Sequence, residues 1–188
     1  MCIHVDENDT AIGSVTKRDC HRVGPGGELI LHRAFSVTFP GYFTNTCCSH
    51  PLFEIEEERN ESNALGIKLA ARRRLNFELG IPTEEVDPND FCYLTRIIYK
   101  STGDGVWGEH EVDYILFLQK DVTLNPNPDE VSELCYVPKN KLESFLSDLN
   151  APITPWFNLI VRHRLNQWWD NLDNLSSYED HQTIHSFK

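Results

Sequence analysis

The chain has 188 residues, 40% of them hydrophobic and 24% charged, the profile of a soluble globular domain large enough to bury one substantial core. Its formal net charge of −12 argues against non-specific binding to nucleic acid or to an acidic membrane, so an anionic ligand would need a local basic patch or a metal ion. No apolar run reaches the length of a transmembrane helix, and Asp6 and Glu7 stand where a signal peptide needs a basic and then an apolar stretch; an intracellular protein is expected, with Cys2, Cys20, Cys47, Cys48, Cys92 and Cys135 as reduced thiols.

Residues 1–17 read as a hairpin, with alternation over Ile3–Val5, turn chemistry at Glu7-Asn8-Asp9 and a second strand over Ala11–Val15. Lys17-Arg18-Asp19-Cys20-His21 follows, and then Gly24-Pro25-Gly26-Gly27, too irregular for a phosphate loop. Glu28 to Val37 reads as one strand, running into a tight turn at Thr38-Phe39-Pro40-Gly41-Tyr42. The polar stretch Thr44-Asn45-Thr46-Cys47-Cys48-Ser49-His50-Pro51 comes next. Pro51 disfavours a helical His50, and in extended backbone residues two apart share a side, so Cys48 and His50 project together. A thiol beside an imidazole can act as nucleophile, base or metal ligand. A buried structural cysteine next to a hydrogen-bonded histidine has the same spacing, and the stretch alone does not separate the two.

Glu54 to Asn60 is acidic and reads as a solvated connection, and Asn60 to Asn63 holds several N-cap candidates. Ala64 to Leu79 is predicted to be a helix, with Ile67, Ala71 and Leu75 at a spacing of four and a stop at Gly80 and Pro82. Arg74 and Glu78 share one of its faces, as an exposed ion pair would. Residues 91–100 and 109–120 read as two strands around the turn Thr102-Gly103-Asp104-Gly105. Glu109 and Glu111 then point to one face and His110 to the other. Two carboxylates at the start of the apolar run Tyr114–Leu118 call for a cation, whereas on an exposed edge water would suffice. A loop over 124–128, a last strand over 134–137 and a helix over 139–149 follow. Thr154-Pro155-Trp156 opens the final helix, with a capping hydroxyl and a proline in its first turn. Its expected buried stripe is Phe157, Val161, Leu165 and Trp168, and residues 173–188 read as a loosely held tail of a single domain.

His21, His32, His50, Glu109 and Glu111 together offer three imidazoles and two carboxylates, a set suited to zinc, manganese or magnesium. Cys48 and Glu111 on opposite sides of a small pocket could move a pair of protons. His4, His110, His163, His181 and His185 have no nameable partner and are assigned to surface or packing.

At this point the chain resembles the metal-dependent isopentenyl-diphosphate delta-isomerases, a Nudix-fold family. The likeness rests on Leu31-His32-Arg33-Ala34-Phe35-Ser36, Phe39-Pro40-Gly41, Thr44 to Pro51, Arg73-Arg74-Leu75 with Glu78-Leu79-Gly80-Ile81, Trp107-Gly108-Glu109-His110-Glu111, and Thr154-Pro155-Trp156. It implies an α/β (α+β) fold, a mixed sheet sandwiched between helices. It also implies a 1,3-proton shift that turns isopentenyl diphosphate into dimethylallyl diphosphate, with Cys48 and Glu111 as the acid–base pair. By the same resemblance His21, His32, His50, Glu109 and Glu111 hold the catalytic metal, and Glu78 helps hold magnesium on the diphosphate. Lys17 and Arg74 contact the phosphates, and Tyr99 and Trp156 line the hydrocarbon pocket. The partner implied is this small diphosphate, with neither nucleic acid nor membrane, for a monomer in the cytoplasm, with the peroxisome as the alternative. A Nudix hydrolase helix reads R-E-U-x-E-E-x-G-U; here Arg74 and Phe77 stand where two of its acids belong, which sets hydrolysis a distant third.

The family also carries a further segment of about twenty residues between Val37 and Thr38, the length of a β-hairpin. By resemblance that segment holds an arginine and a lysine that grip the diphosphate. Two expectations follow: an isomerase, or a shortened, non-catalytic or impaired isoform lacking part of the phosphate site.

Overall fold

The computed structural model describes residues 1–34 and 41–187. The N-terminal hairpin forms as β1 (Cys2–Val5) and β2 (Ala11–Val15), closed by Asp6, whose carboxylate accepts the Asn8 and Thr10 N–H groups at 2.9 and 2.8 Å. The stretch after it, for which the sequence predicts no element, is a short helix, α1 (Lys17–His21), started by Thr16, whose hydroxyl accepts the Asp19 N–H at 3.0 Å. Strand β3 (His32–Ala34) opens the segment predicted as one long strand; the rest of it, the turn at 38–40 and the Val37–Thr38 junction lie outside the described residues, apart from 28–31, which precede β3 without being part of it.

Helix α2 (Leu65–Leu79) is the predicted one. It starts without a side-chain cap, after Asn63 and Ala64 at φ 52 and 53°. It ends as expected on Gly80, whose φ of 65° turns its N–H back to the Asn76 and Leu75 carbonyls. A Cβ there would stand 2.1 Å from the Asn125 carbonyl oxygen, so glycine is required for the close approach as well as for the turn. The long pair β4 (Phe91–Ser101) and β5 (Glu109–Leu118) follows, antiparallel, as read from the sequence.

Among the described residues these strands join a six-stranded mixed sheet in the order β2-β1-β3-β5-β4-β6. Strand β3 lies parallel to β5 with His32 opposite Glu111, so both side chains project from the same face. Along β5 the faces alternate. Tyr114, Leu116 and Leu118 pack against α2 through Ile67, Ala70, Ala71, Leu75 and Leu79. Glu109, Glu111, Asp113 and Ile115 look the other way, toward the layer that contains Leu94, Ile97, Tyr99 and the C-terminal helices.

Four C-terminal expectations change. Residues 134–137 form no strand, and Tyr136 is 85% exposed. After α3 (Leu142–Asp148), the final helix is α4 (Pro155–Ile160), a π-turn over Val161–Leu165, and α5 (Asn166–Trp169). Its buried residues are Trp156, Ile160 and Trp168, while Phe157, Val161 and Leu165 are half-buried; the core-facing stripe is thus rotated by one residue, and the wide turn resets its phase. Thr154 does not cap this helix, since its hydroxyl meets that of Thr44 at 3.0 Å. The segment read as a loose tail buries Leu175 and adds β6 (Ile184–Ser186) parallel to β4, covering backbone groups that would otherwise be an open edge.

Candidate active site

Three imidazoles and one carboxylate meet at a point reached from four separate parts of the chain. His21 ends α1, His32 begins β3, His50 lies in the Cys-His stretch and Glu111 is in β5. Their Nε2 atoms stand 3.4, 3.1 and 3.4 Å from Glu111 Oε1, and His32 and His50 Nε2 are 3.3 Å apart. None of the four residues is more than 3% exposed. His21 Nδ1 donates to the Lys17 carbonyl at 2.6 Å and His32 Nδ1 to the Ile30 carbonyl at 3.0 Å. Those bonds leave the Nε2 lone pairs of both rings aimed at the centre. The His50 backbone is braced from α2: Arg73 Nη2 donates to its carbonyl at 3.1 Å and chelates Glu58 at 2.6 and 2.9 Å, and Glu58 accepts the Leu52 N–H at 2.7 Å.

The electrostatics follow from that crowding. Burial would raise the Glu111 pKa, but the three imidazoles of His21, His32 and His50 gathered on its carboxylate hold it well below the usual carboxylate range. Burial opposes charge on His32, yet the Glu111 carboxylate more than offsets it and the pKa rises. Burial pushes His50 down to about 4. His21 Nε2 is buried without a hydrogen-bond partner among the described residues. An orphaned imidazole nitrogen beside an ionised carboxylate and two further nitrogens is a set that a divalent cation satisfies, and the four ligand atoms lie within 4.8 Å of one another.

Glu109 is not one of that group of four, although its carboxylate is fully buried on the same face of β5. It is linked to the centre through Tyr99, whose hydroxyl donates to Glu109 Oε2 and lies 3.0 Å from Glu111 Oε2. A phenol has a single hydrogen for these two carboxylates. Tyr99 therefore serves the acids with its tip and the hydrocarbon side with its ring, 6.1 Å from the Trp156 ring. Asp113 continues the row. Both of its oxygens are buried without a hydrogen-bond partner among the described residues, and burial, then Glu111 and Glu109, push its pKa well above the usual range. The two-residue spacing that singled out Glu109 and Glu111 extends to Asp113, so this residue was within reach of the same argument.

Cys48 packs in the apolar cluster with Tyr99 and Trp156. Its thiol donates to Asn45 Oδ1 at 3.0 Å, and that oxygen also accepts Trp156 Nε1 at 2.9 Å and the Thr44 hydroxyl at 3.0 Å. The Thr44 hydroxyl in turn lies 3.3 Å from the Cys48 sulfur. Burial pushes the Cys48 pKa strongly upward, which keeps the proton on sulfur at neutral pH. Asn45 stands inside the stretch picked out by sequence, but no spacing rule marks its amide as the common acceptor.

The residues expected on the phosphate side lie outside the four-residue centre. Lys17 is exposed on α1. Arg74 is engaged by Glu78 at 2.6 and 2.8 Å and by Glu130 at 3.1 Å, and stacks on Phe77 at 4.7 Å. Glu78 is thus an ion-pair partner in α2 and not a member of the four-residue centre, with a pKa raised by burial.

Comparison with known proteins adds two findings. A NUDIX domain model matches residues 25–157. Isopentenyl-diphosphate Delta-isomerase 1 of Mesocricetus auratus is 51% identical over 207 residues, covering 98% of this chain and 91% of that protein, and the Mus musculus protein of the same name gives the same figures. Isopentenyl-diphosphate Delta-isomerase I of Camptotheca acuminata is 44% identical over 211 residues, covering 98% and 89%. The 207 aligned residues outnumber the 188 of this chain, so the hamster relative has residues without a counterpart here.

Proposed function

This chain belongs to the Nudix proteins and, among them, to the isopentenyl-diphosphate Delta-isomerase family, and on that premise we propose that it converts isopentenyl diphosphate into dimethylallyl diphosphate by a metal-assisted 1,3-proton shift. The observation that carries the reading is the meeting of three histidine Nε2 atoms on Glu111, alongside a buried Cys48 thiol. The shift needs one group that gives a proton to the terminal methylene and one that takes a proton from carbon two. Cys48 as thiol and Glu111 as carboxylate hold one proton between them, the state from which such a shift starts. Asn45 and Thr44 aim the sulfur, and Tyr99 is placed to pass or hold a proton beside Glu111.

His21, His32, His50 and Glu111 would hold the divalent cation, magnesium, manganese or zinc, with Glu109 brought in by a turn of its side chain away from Tyr99. When bound, the cation supplies positive charge that keeps Glu111 ionised and screens the acidic row of β5. We assign Glu78 to a second ion, magnesium, on the diphosphate, and Lys17 and Arg74 to the phosphates; in that role Arg74 exchanges Glu130 for a phosphate oxygen. Tyr99 and Trp156 face the five-carbon chain, where an aromatic ring stabilises a desolvated cation by about 1–2 kcal/mol. We place the reaction in the cytoplasm, with the protein acting as a monomer on a small diphosphate. No helix among the described residues is long and apolar enough to cross a membrane. The test is turnover of isopentenyl diphosphate by the purified protein, followed by proton NMR with and without a chelator. Product formation that stops on chelation and resumes with added magnesium or manganese is the expected result; no product with any divalent ion would overturn the reading.

A further inference from the structure

A second set of ligand atoms is buried beside the first. Cys2 on β1, Cys20 on α1 and His32 on β3 each offer a sulfur or ring nitrogen, all within 4.8 Å of one another. Both cysteines are free thiols, at most 2% exposed. The Cys20 sulfur also donates to the Lys17 carbonyl at 3.3 Å and lies 3.2 Å from His21 Nδ1. Three elements brace the group: β1 pairs with β2 and β3, and a further bridge ties Cys2 to Leu52. In a tetrahedral zinc site with Zn–S near 2.3 Å the sulfurs are about 3.8 Å apart, a spacing that the observed spread reaches by small side-chain movements. Two sulfurs and an imidazole make a soft donor set, unlike the nitrogen and oxygen atoms of the neighbouring centre.

We propose that Cys2, Cys20 and His32 form a site for a thiophilic divalent cation, zinc or cadmium, whose occupation opposes filling of the His/Glu centre. Binding forms two metal–sulfur bonds and releases the two S–H protons to solvent. The opposition comes from His32, which belongs to both groups. Its Nδ1 is engaged by the Ile30 carbonyl, so one lone pair, on Nε2, remains for one cation at a time. This inference rests on ligand geometry and not on the isomerase reading, and metal binding alone tests it.

The probe is cadmium ion. A variant with Cys47→Ala, Cys48→Ala, Cys92→Ser and Cys135→Ser keeps Cys2 and Cys20 as its thiols. Titration with cadmium is expected to give ultraviolet thiolate-to-metal charge-transfer absorption with the amplitude of two sulfurs per protein, and adding Cys2→Ser to remove most of it. Manganese affinity, read from the EPR signal of the free ion, is expected to fall at least tenfold when cadmium is present, and to be the same with and without Cys2→Ser when it is absent. A folded variant that gives no such absorption, an absorption indifferent to Cys2→Ser, or manganese affinity indifferent to cadmium overturns the proposal. Should the four-fold variant fail to fold by circular dichroism, cadmium-113 NMR of the unmodified chain and of Cys2→Ser decides. A sulfur-rich signal lost in Cys2→Ser supports the site, and identical spectra overturn it.

Discussion

His32 and Glu111 sit opposite each other in a parallel register, and the short distances around Glu111 Oε1 make its charge the hinge of the centre. Glu111→Gln keeps the shape and removes that charge. Divalent-metal affinity measured by calorimetry is expected to fall at least a hundredfold, about 2.7 kcal/mol, and isomerisation to be lost. Retention of tight binding would show that the three imidazoles suffice. Cys48 makes a different prediction, because its raised pKa comes foremost from burial. A folded-state pKa above that of a free thiol means less thiolate at every pH below it. The alkylation rate assigned to Cys48, taken as the difference between the unmodified chain and Cys48→Ala, is therefore expected to go on rising beyond about pH 9, above the usual thiol range. A plateau near pH 7 would place the proton elsewhere. Cys48→Ala itself is expected to abolish product formation while melting as a cooperative fold.

Between elements, the turn of the first hairpin does more than reverse the chain. Asp9, at φ 64° and 3% exposed, accepts Arg33 Nε at 2.7 Å and Arg96 Nη1 at 3.0 Å, and the Tyr114 hydroxyl also donates to it. Arg33 Nη2 reaches on to Glu61 at 2.6 Å. One carboxylate thus joins β3, β4 and β5 to the hairpin turn. Removing it leaves two guanidinium groups, one of them buried, facing each other without their shared anion. Breaking a buried pair in this way costs roughly 3–5 kcal/mol, so Asp9→Ala is expected to lower the urea midpoint by that equivalent with little change in slope. A loss under about 1 kcal/mol would mean that water or Glu61 compensates. In the same way Arg73 and Glu58 let α2 hold the His50 carbonyl, so the helix orients a metal ligand that it does not carry.

For the whole molecule, the sheet brings the centre together from β3, β5, α1 and the Cys-His stretch, while the diphosphate side depends on what surrounds it. The resemblance locates a missing segment at Val37–Thr38, outside the described residues, and with it an arginine and a lysine. A charge-assisted hydrogen bond from either cation to a diphosphate is worth roughly 1.5–3 kcal/mol, so the absence of both is expected to weaken binding on the order of a hundredfold or more if they add. Inserting at that junction the segment of about twenty residues that the resemblance implies is expected to lower KM for isopentenyl diphosphate by about that factor and to raise the melting temperature. Divalent-metal affinity is expected to stay the same, because the four ligands lie elsewhere in the chain. Equal KM and equal melting temperatures in the two forms would show that Lys17, Arg74 and the metal ions suffice.

What the sequence determined by itself was local. The hairpin, the helix stopped by Gly80 and the common face of Glu109 and Glu111 all follow from backbone periodicity and the conformational limits of glycine and proline. The motifs around His32, Cys48 and Trp156 identified the family, which no spacing rule would have done. Tertiary structure decided which of these groups meet. It set His21, His32 and His50 on Glu111 while holding Glu109 on Tyr99, gave Cys48 and Trp156 one acceptor in Asn45, and turned Arg74 toward Glu130, 56 residues away. It also drew the polar tail onto β4 as β6. The physical reason is that a side chain's partners across long stretches of chain depend on strand order and register. Those are fixed by the summed packing of the whole core and leave no periodic trace in the residues that end up side by side.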